Sequence, residues 1–395
     1  MVHWSGLAAI ALALPLGTMA FQPVQMPFSD RFYHKKDALD HAHKLLRHHP
    51  VIDTHNDLPL HLAFVYDGKI NDMNFTKFDW GHTDITRLHQ GHVGGQFWSI
   101  YYECDDTEAN QLLKAMETID VVQRMVNLYP ETFQIARNTK EFEHALRHGK
   151  IASAMGMEGG QMIDSSMVAL RQFYDLGIRY MTLTHNCHTP WAEACCDANP
   201  PAFDKGLGLT EFGKEIVLEM NRLGMMVDIS HVAHSTMHAV LNTTRAPVLF
   251  SHSSSNALCD IERNVPDSVL ERLDETDGVV QVNFYNAFVQ CDPDKEATLS
   301  DVADHIEHIA SVAGYHRVGL GADYNGIETT PAGLEDVSKY PDLFAELIRR
   351  GWSDEHLIGL AGRNLLRVWR EVERVSEKIA KAKELPSEAK IGDFK

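Results

Sequence analysis

Six short segments of the chain carry side chains that bind metal ions. Thr54-His55-Asn56-Asp57 sets an imidazole and a carboxylate two residues apart, and in extended backbone residues i and i+2 point the same way. Glu158 precedes Gly159 and Gly160, which leave room beside its carboxylate. His185 follows Thr184, His231 follows Ser230, His252 follows Ser251, and Asp323 follows Gly321-Ala322. Taken singly, each is an ordinary loop residue. Together they end six separate apolar runs, which points to one shared site. Imidazole and carboxylate without thiolate suit zinc, with manganese or cobalt as alternatives. The set exceeds the three protein ligands usual for one catalytic zinc. Two zinc ions sharing a carboxylate are therefore expected, with His55 and Asp57 on one, His231 and His252 on the other, and Glu158 bridging. Water shared between two cations loses its proton near neutral pH and becomes a nucleophile. Nucleophilic serine chemistry is not indicated, because no GxSxG elbow is present.

Such groups need a scaffold that gathers strand ends. The apolar runs at 51–53, 95–101, 151–157, 179–184, 225–230, 247–251, 279–283 and 318–322 read as strands. Helical periods follow over 107–128, 165–176, 210–223, 266–273, 300–312, 341–350 and 353–374, after a first short helix at 37–49. Thr210 is a capping residue and Gly224 a stop. Eight strands alternating with helices predict an α/β chain of the TIM-type (β/α)8 class, whose catalytic groups sit at the C-terminal ends of the strands. A doubly wound sheet is the alternative, but no GxGxxG turn follows any strand.

The chain has 395 residues, with Lys+Arg 36 against Asp+Glu 55 and a net charge of −19, so no basic face for nucleic acid is expected. The apolar stretch within 1–20 reads as a signal peptide cleaved near Ala20, or as a short signal-anchor. One catalytic domain is expected over 21–375 and a charged, frayed tail over 376–395. That tail lacks the hydrophobic end of a glycolipid anchor, which predicts soluble export. The sequons at Asn74 and Asn242 are glycosylation candidates consistent with it. Six cysteines, Cys104, Cys187, Cys195, Cys196, Cys259 and Cys291, include no CxxC pair, which argues against a cysteine zinc site and leaves disulfides open.

The segments VIDTHNDLP, GHVGGQFWSIY, MGMEGG, YMTLTHNC, HTPWA, NRLGMMVDISHV, APVLFSHSS, RNVPD, VNFYN and GLEDVSKYPDL resemble the renal or membrane dipeptidase family of zinc peptidases, from about residue 50 to 372. The resemblance implies a (β/α)8 barrel, a binuclear zinc site on the same His55, Asp57, Glu158, His231 and His252, and hydrolysis of free dipeptides. It implies that His185 contacts the substrate or its tetrahedral intermediate, that Arg263 holds the dipeptide carboxylate, and that Asp323 binds the free amino group. Asp323 or Glu158 would then protonate the leaving nitrogen. It also implies the pairs Cys104–Cys187 and Cys259–Cys291, which leaves Cys195 and Cys196 without an expected partner. A homodimer, and side activity on C-terminal D-residues and β-lactam rings, are further implications. The loop over 192–208 and Asn325, where the family often has Asp, depart from the family pattern. The loop follows a strand and is expected to border the site. Rival readings are another binuclear amidohydrolase (amidase, deacetylase or phosphotriester hydrolase) and a non-catalytic secreted binding protein. The second would show a lost ligand, and none is lost.

Overall fold

The computed structural model describes Met1, residues 35–106 and residues 108–394. Apart from Met1, the leader expected over 1–20 lies outside the described residues, as do 21–34 and Thr107. The described strands are β1 Val51–Asn56, β2 Val93–Ile100, β3 Phe133–Ile135, β4 Ile151–Glu158, β5 Ile178–Thr182, β6 Met226–Asp228, β7 Val248–Phe250, β8 Val279–Val282 and β9 Val318–Leu320. All pairings among them are parallel, and they run β1–β2–β4–β5–β6–β7–β8–β9 and back to β1. That closes an eight-stranded barrel with no free edge, the expected fold.

Strand β3 was not expected. Its three residues are too few to show a period, and only Phe133 is fully buried. It pairs with Ile151–Ser153 of β4, below the point where β5 takes over the same edge from Met155. Among the described α-helices of six residues or more, three were also missed: Ile85–Gln90, Thr139–Arg147 and His234–Thr243. The first is only six residues long, and the third has no side-chain cap, so neither announces itself locally.

Other helices begin where their caps place them. Thr210 accepts from Gly213 N–H to start Glu211–Leu223, and Gly224 ends it at φ 86°. Thr298 and Asp301 form a reciprocal capping box on Leu299–Ala313. The helix expected from 107 starts instead at Gln111, because the Asn110 side chain accepts from Leu113 N–H and fixes the start there. The closing helix expected over 353–374 is broken. Ser353 caps Asp354–Ile358, a π-turn follows over Gly359–Arg363 with Gly362 at φ 160°, and Asn364–Lys381 completes it. The tail expected to fray from 376 is held beyond that point. Ile379 is buried, and Ser387 hydrogen-bonds to Glu219 and Glu215. Among the described residues no helix is long and apolar enough to cross a membrane.

Candidate metal centre

Two buried aspartates inside the barrel lock the strand ends that carry the site. Asp53 of β1 accepts from His55 N–H and Ala322 N–H at 3.1 Å each and from the Tyr340 hydroxyl at 2.6 Å. Burial pushes its carboxyl up to about 6 against these hydrogen bonds. Asp228 of β6 accepts from Ser230 N–H and Ser251 N–H, and from the Thr182 and Ser251 hydroxyls. It therefore ties β5, β6 and β7 together where His231 and His252 emerge.

The structure brings all the expected ligands to one mouth of the barrel, at the C-terminal ends of the strands. Glu158 is central. Its Oε2 lies 3.2 Å from His55 Nε2, and its Oε1 lies 3.1 Å from His231 Nε2 and 3.3 Å from His252 Nε2. Asp57 Oδ2 is 3.3 Å from His55 Nε2, and Asp323 Oδ1 is 3.9 Å from it. His185 Nε2 stands 3.8 Å from Glu158 Oε1. Three groups, His55/Asp57/Glu158, His55/His252/Asp323 and Glu158/His185/His231, have donor atoms within 4.8 Å of one another.

The surroundings fix the protons. Tyr180 gives its single hydroxyl proton to Thr54 O at 3.0 Å, so at 2.9 Å it accepts one from His55 Nδ1. Ser251 gives its proton to Asp228 and so accepts from His252 Nδ1 at 2.8 Å. Asn186 Oδ1 accepts from His231 Nδ1 at 3.0 Å. In each neutral ring the Nε2 lone pair is thereby aimed at Glu158 or at another imidazole, the arrangement that metal-ligating histidines adopt. The Nε2 atoms of His231 and His252 face each other at 2.8 Å, so a shared proton or a nearby cation must relieve the repulsion of their lone pairs.

Charge and burial agree. Burial, then the Arg263 charge together with a neighbouring imidazole, holds His231 and His252 well below the usual imidazole range. Burial acts the same way on His55, but Tyr180, Glu158 and Asp57 outweigh it and draw positive charge to that spot. Burial would raise Glu158, yet His55, His231 and His252 hold it well below the carboxylate range. Asp323 is driven well above that range by burial and by the charges of Asp57 and Glu158. Both carboxylate oxygens of Asp57 are buried and receive no hydrogen bond, a costly state unless a cation meets them. The residues present therefore fit a pair of divalent ions.

Arg263 is placed differently from a simple surface clamp. It is 2% exposed, donating to Ser253 Oγ at 2.9 Å and to His252 O at 2.8 Å, while its Nε is buried with no partner. The 192–208 loop borders the site as expected, with Cys195 N–H donating to His231 O at 2.8 Å. Sequence reasoning missed Tyr180, Asn186, Ser99 (donating to Glu158 Oε2 at 3.0 Å) and the Asp228–Ser251 pair. Tyr180 and Asp228 lie inside strand patterns, where a polar residue in an apolar run was the one available signal.

Gly326 shows how closely the backbone approaches. A β-carbon there would lie 2.3 Å from Asp57 Oδ2 and 2.6 Å from Asp323 Oδ1. Asp323 and Asn325 flank this turn at φ 70° and 69°, and His231 sits at 61°. Left-handed backbone of this kind, in residues other than glycine, clusters at functional sites.

Disulfides join Cys104 to Cys187 and Cys259 to Cys291, the pairs the resemblance implied. Cys195 and Cys196, expected to stay unpaired, are bridged to each other, so no described cysteine is free. Adjacent residues bring their sulfurs within reach whenever the intervening peptide turns both side chains to one side, and the loop backbone does so here.

Known proteins resemble both the chain and the barrel. The membrane dipeptidase family (peptidase family M19) matches residues 39–383. An uncharacterized dipeptidase of Schizosaccharomyces pombe (strain 972) is 47% identical over 351 residues, covering 86% of this chain and 84% of that protein. A second uncharacterized dipeptidase of the same yeast is 45% identical over 351 residues, with the same coverage of 86% and 84%. Among solved structures, a metallo peptidase from Rhodobacter sphaeroides, liganded with a phosphinate mimic of the dipeptide L-Ala-D-Ala, superposes with a TM-score of 0.74 at 26% identity. It covers 82% of this chain and 99% of that one. The probable dipeptidase PvdM from Pseudomonas aeruginosa, at 22% identity and TM-score 0.79 over 87% of this chain and 100% of that one, shares the fold. With the family matched over most of its length, the chain belongs to the membrane dipeptidases of peptidase family M19 and is a peptide-bond hydrolase.

Proposed function

We propose that two zinc ions occupy the barrel mouth and that the enzyme hydrolyses free dipeptides there. The observation that carries this reading is Glu158, whose two oxygens face two separate sets of imidazoles. His55 and Asp57 would hold one ion, His231 and His252 the other, and Glu158 both. Bound there, zinc supplies Lewis-acid polarisation of the scissile carbonyl and a nucleophile from water at neutral pH.

The remaining residues bind and orient. Arg263 offers the buried, unpartnered Nε to the substrate carboxylate, a charge-assisted contact that selects a free C-terminus. Asp323 pairs with the free ammonium, which selects a free N-terminus. A site that reads both ends fixes the length at two residues. His185, whose imidazole burial pushes down, stands with Nε2 3.8 Å from Glu158 Oε1, where it would contact the substrate or its tetrahedral intermediate. Asp323 or Glu158 returns a proton to the leaving amine. The dipeptide mimic held by the Rhodobacter protein ends in D-Ala, which supports acceptance of a C-terminal D-residue.

Dipeptides, tripeptides and N-acetylated dipeptides assayed with and without a chelator test the reading. Chelator-sensitive cleavage of dipeptides alone, with about two equivalents of zinc after dialysis, is expected. Equal turnover of blocked substrates would instead favour a general amidase on the same barrel. Export and a homodimer complete the proposal. Disulfides persist in oxidising compartments, and Asn74 and Asn242 are both exposed to a glycosylating enzyme. Glycan mapping of the expressed protein and its mass in solution check these two points.

A further inference from the structure

The bridge between Cys195 and Cys196 differs from the other two in what it can do for the fold. Cys104–Cys187 and Cys259–Cys291 span 83 and 32 residues, so each restrains the unfolded chain. A bridge between neighbours closes no such loop and gains no stability that way. It is also accessible, for Cys196 is exposed and Cys195 partly so.

Its position is informative. The bridged segment lies along the residues that carry His231. Cys195 N–H donates to His231 O at 2.8 Å, Ala233 N–H donates to Glu193 O at 3.0 Å, and Ala194 pairs antiparallel with Val232. The connection from β5 to the helix Glu211–Leu223, which contains this loop, also supplies Asn186, the partner of His231 Nδ1. His231 itself holds φ 61°, a conformation a histidine keeps only where neighbours impose it. The exposed Cys196 is therefore the immediate neighbour of the residue whose amide braces a site histidine.

We propose that Cys195–Cys196 is a reducible modification site whose thiol–disulfide state sets how firmly His231 is held. The inference rests on the reading of His231 as a zinc ligand. The reactant is a dithiol reductant. One thiolate attacks the exposed Sγ of Cys196, forming a mixed disulfide, and Cys195 leaves as a thiolate that takes up a proton. The reductant's second thiol then attacks its own sulfur in the mixed disulfide and releases Cys196 as the second thiol. The reductant gains a disulfide, the protein loses one, and two electrons pass to the protein. Opening the small ring frees the peptide between Cys195 and Cys196, and the Cys195 amide is no longer aimed at His231.

The test uses the full-length protein. It is treated with graded dithiothreitol, alkylated, desalted and reloaded with zinc. Three readouts follow: the order in which cysteines are alkylated, amide hydrogen exchange of the segments 193–197 and 231–233, and zinc affinity against a competing chelator. Cys195 and Cys196 should be labelled before the other four, with faster exchange in both segments and zinc affinity about 10-fold lower, the scale of losing a second-layer partner. A Cys195→Ser/Cys196→Ser double variant should show the same exchange and affinity without reductant and no further response to it. Labelling after or together with the long-range pairs would overturn the proposal. So would early labelling with unchanged exchange in both segments. If neither form retains zinc, the metal reading fails, while the exchange comparison still decides whether the bridge braces His231.

Discussion

Gly156→Ala tests the way the barrel builds its site from the strand register. Gly156 of β4 pairs with Tyr180 of β5. A β-carbon at that position would lie 1.9 Å from Tyr180 Cζ and 2.2 and 2.3 Å from Cε1 and Cε2, far inside van der Waals contact. The ring is fully buried, so it has no solvent to swing into, and its strand is held by ladders on both sides. The glycine is thus the slot for the ring whose hydroxyl fixes the His55 proton. Forcing a methyl into a packed interior costs about 1–3 kcal/mol. Displacing the Tyr180–His55 hydrogen bond adds about 1 kcal/mol. The variant should therefore lose about 2–4 kcal/mol in urea unfolding of the metal-free protein. Tyr180→Phe separates the two effects. It removes no volume that matters, but leaves His55 Nδ1 and Thr54 O without the hydroxyl. Its expected cost is about 1–3 kcal/mol in stability and about 10–100-fold in zinc affinity. If Gly156→Ala unfolds at the wild-type urea midpoint and binds zinc as tightly as wild type, Tyr180 is not wedged against β4 and its role at His55 is wrong.

Arg263→Met should lower kcat/KM on free dipeptides by about 10–100-fold through loss of a charge-assisted contact, while turnover of C-terminally amidated dipeptides, already poor, changes little. Gly326→Ala should displace Asp57 and Asp323, whose oxygens its methyl would overlap, and reduce the zinc retained after dialysis. Removing the Cys259–Cys291 bridge by paired Ala substitution should cost about 3–4 kcal/mol in urea unfolding, since it closes a loop of 32 residues. Glu219 is buried, which alone would raise its carboxyl, but hydrogen bonds from Arg222 and Arg171 hold it below the usual range. A depressed carboxyl contributes stability above its unfolded pKa and loses it as pH falls through the folded one, so the gap in unfolding free energy between wild type and Glu219→Gln should hold constant from neutral pH down to about 4.3, the ordinary glutamate value, and narrow only as the pH falls below it.

The barrel was legible because its strands are apolar runs buried on both faces and end in polar residues, and because Thr210 and Gly224 punctuate a helix. What escaped was short or depended on partners distant in sequence. β3 exists because Ile151–Ser153 offers it an unpaired edge, which three residues cannot signal. The break at Gly362 follows from Ile52, whose side chain lies 2.5 Å from where a β-carbon would stand, a contact between the two ends of the chain.

The same division runs through the site. Ligand types and their strand-end positions can be read from spacing, because a (β/α)8 barrel sends every such end to one mouth. The proton states cannot. That His55, His231 and His252 all present a bare Nε2 depends on where Tyr180, Asn186 and Ser251 send or receive a single proton. These partners sit 125 residues from His55, 45 from His231 and one from His252. A barrel with the same ligand residues and different partners would aim protons, not lone pairs, at Glu158 and would repel a cation. The chemistry of this mouth therefore resides as much in Tyr180, Asn186 and the Asp228–Ser251 pair as in the ligand residues themselves.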